Sequence, residues 1–101
     1  MHLGLDYSSL EGADVVASCS GTVTCLMERG GYGLVVEIDH GNGFLTRYAK
    51  LSGSLVKLGD RVEQGQTVGT AGELESGGFG LHFELRIDGF AFNPRYYLKE
   101  A

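Results

Sequence analysis

The sequence predicts an all-β domain of many short strands, a small antiparallel β-sandwich or barrel, and three observations carry that expectation. Glycine accounts for 17 of the 101 residues and proline for 1, where a chain of this length holds about 7 glycines. Glycine at that density punctuates turns and works against helices. Apolar residues alternate with a period of two in Leu34 to Asp39 and again in Leu81 to Ile87, the pattern of half-buried strands. Gly41-Asn42-Gly43 and Asp88-Gly89 are hairpin signals because their residues accept the left-handed backbone that tight turns need. No segment keeps a helical period for more than about one turn.

The elements follow in order. Ala13 to Ser18 is a short apolar run, and Gly21 to Met27 is a second one with Val and Thr, both strand-forming compositions. Gly30-Gly31-Tyr32-Gly33 reads as a loop. Leu34, Val36 and Ile38 face one way along the next strand, and Phe44 to Ala49 answers it across the Gly41-Asn42-Gly43 turn. Leu51 to Leu58 is irregular; Gly59-Asp60 turns, Arg61-Val62 is a short strand, and Gly65-Gln66 turns into Thr67-Val68-Gly69. Glu73 to Gly80 reads as a Gly- and acid-rich loop. Leu81, Phe83, Leu85 and Ile87 then oppose His82, Glu84 and Arg86 before Phe90 to Phe92 and a tail opened by Asn93-Pro94. The core is expected to collect Leu34, Val36, Ile38, Leu81, Phe83, Leu85 and Ile87 between two sheets.

One domain, residues 1–101, is expected, a piece of a longer protein, with no linker and no internal repeat. The formal net charge is −5, which argues against a nucleic-acid backbone binder. No apolar run approaches the roughly 18 residues of a membrane span, and Met1-His2-Leu3-Gly4 has neither the basic nor the apolar region of a signal peptide. Cys19 and Cys25 would lie about 20 Å apart on one straight strand, well beyond the roughly 7 Å a disulfide bridges. They are read as free and semi-buried.

Chemistry concentrates on few residues. His2 and Asp6 form H-x-G-x-D, and His82 lies on the polar face of a core-forming strand, a position fit to line a cleft. Two imidazoles and a carboxylate are a zinc first shell with one open position. By spacing alone the signal is weak, and two surface histidines are the favoured reading.

The order of motifs adds to this. H-x-G-x-D at 2–6 is followed by V-x-A near Val15 to Ala17, G-x-V at 21–23, G-Y-G at 31–33 and Y-A-x-L-S at 48–52. G-D-x-V-x-x-G-Q-x-x-G at 59–69, L-H-F-E at 81–84 and Asn93-Pro94 complete the series. Together these resemble the M23 family of zinc metallopeptidases, the LytM-type domains, over nearly the whole chain. The resemblance implies a small antiparallel β-sandwich with a groove and an activity on peptide cross-links of bacterial peptidoglycan, outside the cell or in its envelope. It makes His2, Asp6 and His82 the ligands of one zinc ion. It assigns the two catalytic histidine positions to Lys50 and Gly80, so both have departed. Phe79 stands where the family usually has proline, so the shape of the groove wall beside His82 is not carried over. His40 matches a frequent family histidine that is not a ligand and is expected to be structural or a turn residue.

These departures set the functional expectation. General acid–base help is worth about 10²–10⁴-fold and one oxyanion donor about 10²–10³-fold. Gly80 has no side chain, and a protonated lysine donates but does not accept a proton. The expected function is therefore a degenerate domain that binds zinc and either peptidoglycan or an envelope protein with little or no hydrolysis, as family members in amidase activation and sporulation channels do. One rival is an active endopeptidase using Lys50 or Glu84 in place of the histidines. The other is a lipoyl- or biotinyl-type hybrid barrel, which the stretch Gly59 to Gln66 also resembles although no lysine sits in an M-K-M-like hairpin tip.

Overall fold

The computed structural model describes residues 4–30, 33–75, 77–87 and 90–92. Among the described residues there are nine strands: β1 (Leu5–Ser9), β2 (Asp14–Val16), β3 (Gly21–Arg29), β4 (Gly33–Gly41), β5 (Phe44–Ser54), β6 (Arg61–Val62), β7 (Thr67–Glu73), β8 (Phe79–Ile87) and β9 (Phe90–Phe92). They form one antiparallel sheet in the order β1-β8-β7-β5-β4-β3-β6, with β2 on β7 and β9 on β8. The all-β expectation holds, and the wrap around the core is made by one continuous sheet.

The sheet curls because its middle strands change partners along their length. Residues 44–49 of β5 pair with β8, whereas residues 51–54 pair with β7. Strand β7 in turn serves β2, β5 and β8. Each hand-over turns the sheet on itself, and β-bulges supply the bends. One bulge decides the site. Val36 opposes Tyr48 and Leu34 opposes Leu51, so Ala49 and Lys50 together oppose Val35. The extra residue lets Tyr48 and Leu51, three apart, both reach the core and leaves Ala49 and Lys50 on the other face.

The core gathers Val15, Ala17, Val23, Val36, Ile38, Tyr48, Leu51, Val56, Val62, Val68, Ala71, Phe83 and Leu85, with Leu34, Leu81 and Ile87 packed against it. All seven expected core residues are in this set. Tyr48 and Phe83 meet edge to face at 5.3 Å between ring centroids, a preferred aromatic geometry. The buried Tyr48 hydroxyl accepts the Ser18 backbone N–H at 2.9 Å and meets the Thr46 hydroxyl at 3.1 Å.

Several boundaries differ from the sequence reading. Strand β1 is largely exposed and lacks the alternation that would announce it. The stretch after Leu51 continues as strand to Ser54 because β7 takes over its pairing. Phe79 and Gly80 belong to β8 rather than to a loop, since β1 and β7 both pair with them. Cys19 and Cys25 are free as expected, but Cys19 is exposed rather than semi-buried. Asn93-Pro94 and the Asp88-Gly89 turn lie outside the described residues.

Candidate functional site

On β8 the residues on the face opposite the core are Gly80, His82, Glu84 and Arg86. Pairing with β1 sets Asp6 directly across from His82, and pairing with β5 sets Ala49 across from His82 and Arg47 across from Glu84. His82 Nδ1 lies 2.7 Å from Asp6 Oδ1, and Nε2 lies 2.9 Å from Glu84 Oε2. Both carboxylates accept, so hydrogen bonds from both ring nitrogens favour the protonated imidazole. Its pKa is accordingly raised, first by the hydrogen bond to Glu84 and then by the one to Asp6, against the opposing effect of burial. Glu84 is lowered to about 2, chiefly by the His82 hydrogen bond and with help from Arg86 and Arg47.

The cluster extends across the sheet. Arg86 Nη2 donates to Glu84 Oε1 at 2.8 Å, and Arg47 Nη1 reaches the same oxygen at 3.3 Å. Arg47 Nε donates to Glu37 Oε2 at 2.6 Å. The His82 side chain is 1% exposed, that of Glu84 5% and that of Asp6 45%. The sequence expected His82 to line a cleft; it is instead covered at its ring edge. A Cβ at Gly4 would stand 2.5 Å from His82 Cε1 and 2.7 Å from Nε2, closer than carbon atoms approach. The glycine of H-x-G-x-D is thus the residue that lets the chain pass over the imidazole.

His2 lies outside the described residues, and among those described no group of three His, Cys, Asp or Glu side chains is arranged around a common metal position. The two described members of the expected ligand set fit zinc. Tetrahedral ligands at about 2.0–2.2 Å sit about 3.3 Å from one another, so Asp6 Oδ1 and His82 Nδ1 need to part by well under an ångström. Asp6 has the exposure to move. Glu84 meanwhile occupies the other ring nitrogen, the usual second contact of a metal-bound histidine, which fixes ring orientation and raises ligand basicity.

The two positions expected to hold catalytic histidines are shaped by backbone. Lys50 sits in the β5 bulge with φ of 65°, a left-handed conformation that costs a non-glycine residue about 1–2 kcal/mol. Its neighbours are glycines: a Cβ at Gly33 would touch Lys50 Cα at 3.5 Å, and one at Gly72 would fall on the Lys50 carbonyl oxygen. The Lys50 side chain is 14% exposed and its Nζ lies 3.2 Å from Glu75 Oε1. The lysine is therefore mostly covered and paired. At Gly80, a Cβ would fall on the Tyr7 carbonyl oxygen and stand 2.8 Å from Leu74 Cδ1, so β1 lies where a side chain would start.

His40 has the structural role expected of it. Its Nδ1 donates to the Ser20 carbonyl at 2.8 Å and its Nε2 meets Thr46 Oγ1 at 2.7 Å, tying β4 to the start of β3 and to β5. A cavity of about 700 Å³ beside His40, lined also by Cys19, Phe44, Phe83 and Leu85, includes core-face residues of β8 and neither Asp6 nor His82.

Residues 1–94 match the family described as Peptidase family M23. This chain belongs to peptidase family M23. It is 40% identical over 100 residues to Stage II sporulation protein Q of Bacillus subtilis, covering 94% of this chain and 35% of that protein. It is 41% identical over 95 residues to the DD-carboxypeptidase/endopeptidase Mpg of Neisseria meningitidis, covering 93% of this chain and 22% of that one. The chain therefore spans about a third or less of the length of these curated relatives. Among solved structures, the catalytic domain of the antimicrobial peptidase lysostaphin from Staphylococcus simulans superposes with a TM-score of 0.90 at 30% identity, covering 99% of this chain and 80% of that one. A chain of the SpoIIQ–SpoIIIAH pore-forming complex superposes with a TM-score of 0.81 at 42% identity, covering 85% of this chain and 56% of that one. Membership of this family displaces the lipoyl-type reading: the Gly59 to Gln66 stretch is here the turn and short strand between β5 and β7 of an M23 fold.

Sequence reasoning missed Arg47, Glu37 and Glu75. Nothing in one strand's pattern names a partner 10 or 37 residues away in sequence; the sheet register supplies it.

Proposed function

We propose that residues 1–101 form a single M23 domain of the cell envelope that holds one zinc ion through His2, Asp6 and His82, binds peptidoglycan or an envelope protein, and hydrolyses little or nothing. The observation that carries this reading is the pair Lys50 and Gly80. The first is an ammonium paired with Glu75, and the second has no side chain and no room for one. Zinc bound there would polarise a carbonyl and activate water, yet neither position offers a group to accept that water's proton. Glu84 does not replace them: it is buried, engaged by His82, Arg86 and Arg47, and lowered to about 2, which makes it a weak base. A protein partner is supported by SpoIIQ, which is solved in complex with SpoIIIAH.

The rival is an active endopeptidase, favoured by the likeness to Mpg and to the lysostaphin catalytic domain, with Lys50 donating to the oxyanion. Two measurements on the purified protein decide. After zinc loading and desalting, elemental analysis should find about one equivalent in the wild type and a trace in His82→Ala; equal traces in both would end the zinc assignment. Incubation with purified cell walls should release no fragments above background. Chelator-sensitive release by the unmodified protein would establish the endopeptidase instead.

A further inference from the structure

We propose that Lys50 is a carboxylate-recognition residue on the face that holds His82 and that Glu75 is an internal carboxylate holding its place until a ligand displaces it. The proposal rests on the reading of this domain as one that binds peptidoglycan and names the ligand group it selects.

The bulge carries the first part of the argument. Because Tyr48 and Leu51 both enter the core, Lys50 is turned to the face that holds His82, one residue beyond Ala49, which pairs with His82. The left-handed backbone at Lys50 and the close approach of Gly33 and Gly72 to it fix its position. A residue kept in a costly conformation at a strand hand-over re-aims its side chain. Here the side chain so aimed is a cation, on a chain whose net charge is −5. A carboxylate ligand is repelled by the molecule as a whole and attracted at this point, which makes the point decisive for selectivity.

Glu75 supplies the second part. Its side chain is 79% exposed while that of Lys50 is 14% exposed, so the anion is the loosely held member of the pair. It stands on the turn between β7 and β8, where Leu74 N–H donates to the Gly78 carbonyl and Gly77 N–H to the Leu74 carbonyl, and where Gly77 and Gly78 have φ of 87° and 76°. An ion pair with one exposed member is worth about 0.2–1 kcal/mol, so an incoming carboxylate gives up little by replacing it. Glu75 thereby shows the chemistry that fits Lys50 and competes weakly with it.

The test uses a soluble muropeptide with free carboxylates and the same fragment with its carboxylates amidated, titrated calorimetrically into wild type, Lys50→Met and Glu75→Gln. Methionine keeps the length of the side chain and removes the charge. Wild type should prefer the free-carboxylate fragment, and Lys50→Met should bind both fragments equally. Glu75→Gln should bind the free-carboxylate fragment about 1.4- to fivefold more tightly, the fold-change equivalent of the competing ion pair. If wild type binds both fragments equally, or Lys50→Met keeps the preference, or Glu75→Gln binds no more tightly, the carboxylate assignment falls while peptidoglycan binding stands. If wild type binds neither fragment, peptidoglycan binding falls and takes this proposal with it. Retained thermal transitions in both variants confirm that the comparison is between folded proteins.

Discussion

Along β8 the side chains alternate between two environments of nearly equal burial. Phe83 and Leu85 are 3% and 5% exposed among hydrocarbon, while His82 and Glu84 are 1% and 4% exposed among charges. The first face is stabilised by removing apolar area from water. The second loses hydration of its charges, and recovers it only because Asp6, Arg47, Arg86 and Glu37 complete the hydrogen bonds. The difference teaches that one strand can serve a core and a site at once, with the core face tolerant of neighbours and the site face dependent on each of them.

The largest effect should come from the apolar face. Phe83→Ala removes a ring packed on Tyr48 and should lower stability by about 3–5 kcal/mol, read as a shifted denaturant midpoint. An unchanged midpoint would mean that the two faces have been assigned the wrong way round.

The charged face is tested next by Glu84→Leu, which leaves His82, Arg47 and Arg86 without their shared carboxylate. The loss should be about 3 kcal/mol at neutral pH. The variant should also flatten the pH dependence of the metal-free protein. In the wild type, Glu84 is lowered from 4.5 to about 2, so its contribution is present above about pH 4.5 and is lost as pH falls through 2. His82 is raised above 6.5, so its contribution is present below pH 6.5 and is lost as pH rises through the raised value. With chelator present, stability should therefore peak between about pH 4.5 and 6.5. A midpoint that keeps rising from pH 6 to 8 would break this account of the face.

The same contrast explains what was legible in the sequence. Period-two alternation announced β8 from Leu81 onward and assigned Leu81, Phe83, Leu85 and Ile87 to the core, because an apolar face needs only a pattern. Only the motif resemblance links Asp6 and His82 in the sequence, and the register sets them opposite each other on neighbouring strands. Arg47, Glu37 and Glu75 were invisible because their roles depend on strand pairing rather than spacing. Strand β1 was missed because it is mostly exposed; it is a strand because β8 holds it, not because its own residues form one.

The smallest of these effects is the most informative about what position 80 can hold. A histidine in place of Gly80 looks like a side-chain change, but the first atom added would already fall on the Tyr7 carbonyl oxygen, which is backbone and moves only with β1. Gly80→Ala is therefore the decisive substitution. It should cost about 1–3 kcal/mol, the range for overpacking a filled position. It should also disturb Asp6 more than Glu84, because Asp6 is carried on the strand that must shift. Backbone amide shifts in an NMR comparison should cluster in β1 around Tyr7 and leave Arg47 and Glu37 in place. Gly80→Ala folding with wild-type stability and unmoved β1 resonances would show that the position accepts a side chain. The absence of a histidine there would then be a matter of sequence alone, and Lys50→His with Gly80→His would become the variant on which to look for restored hydrolysis.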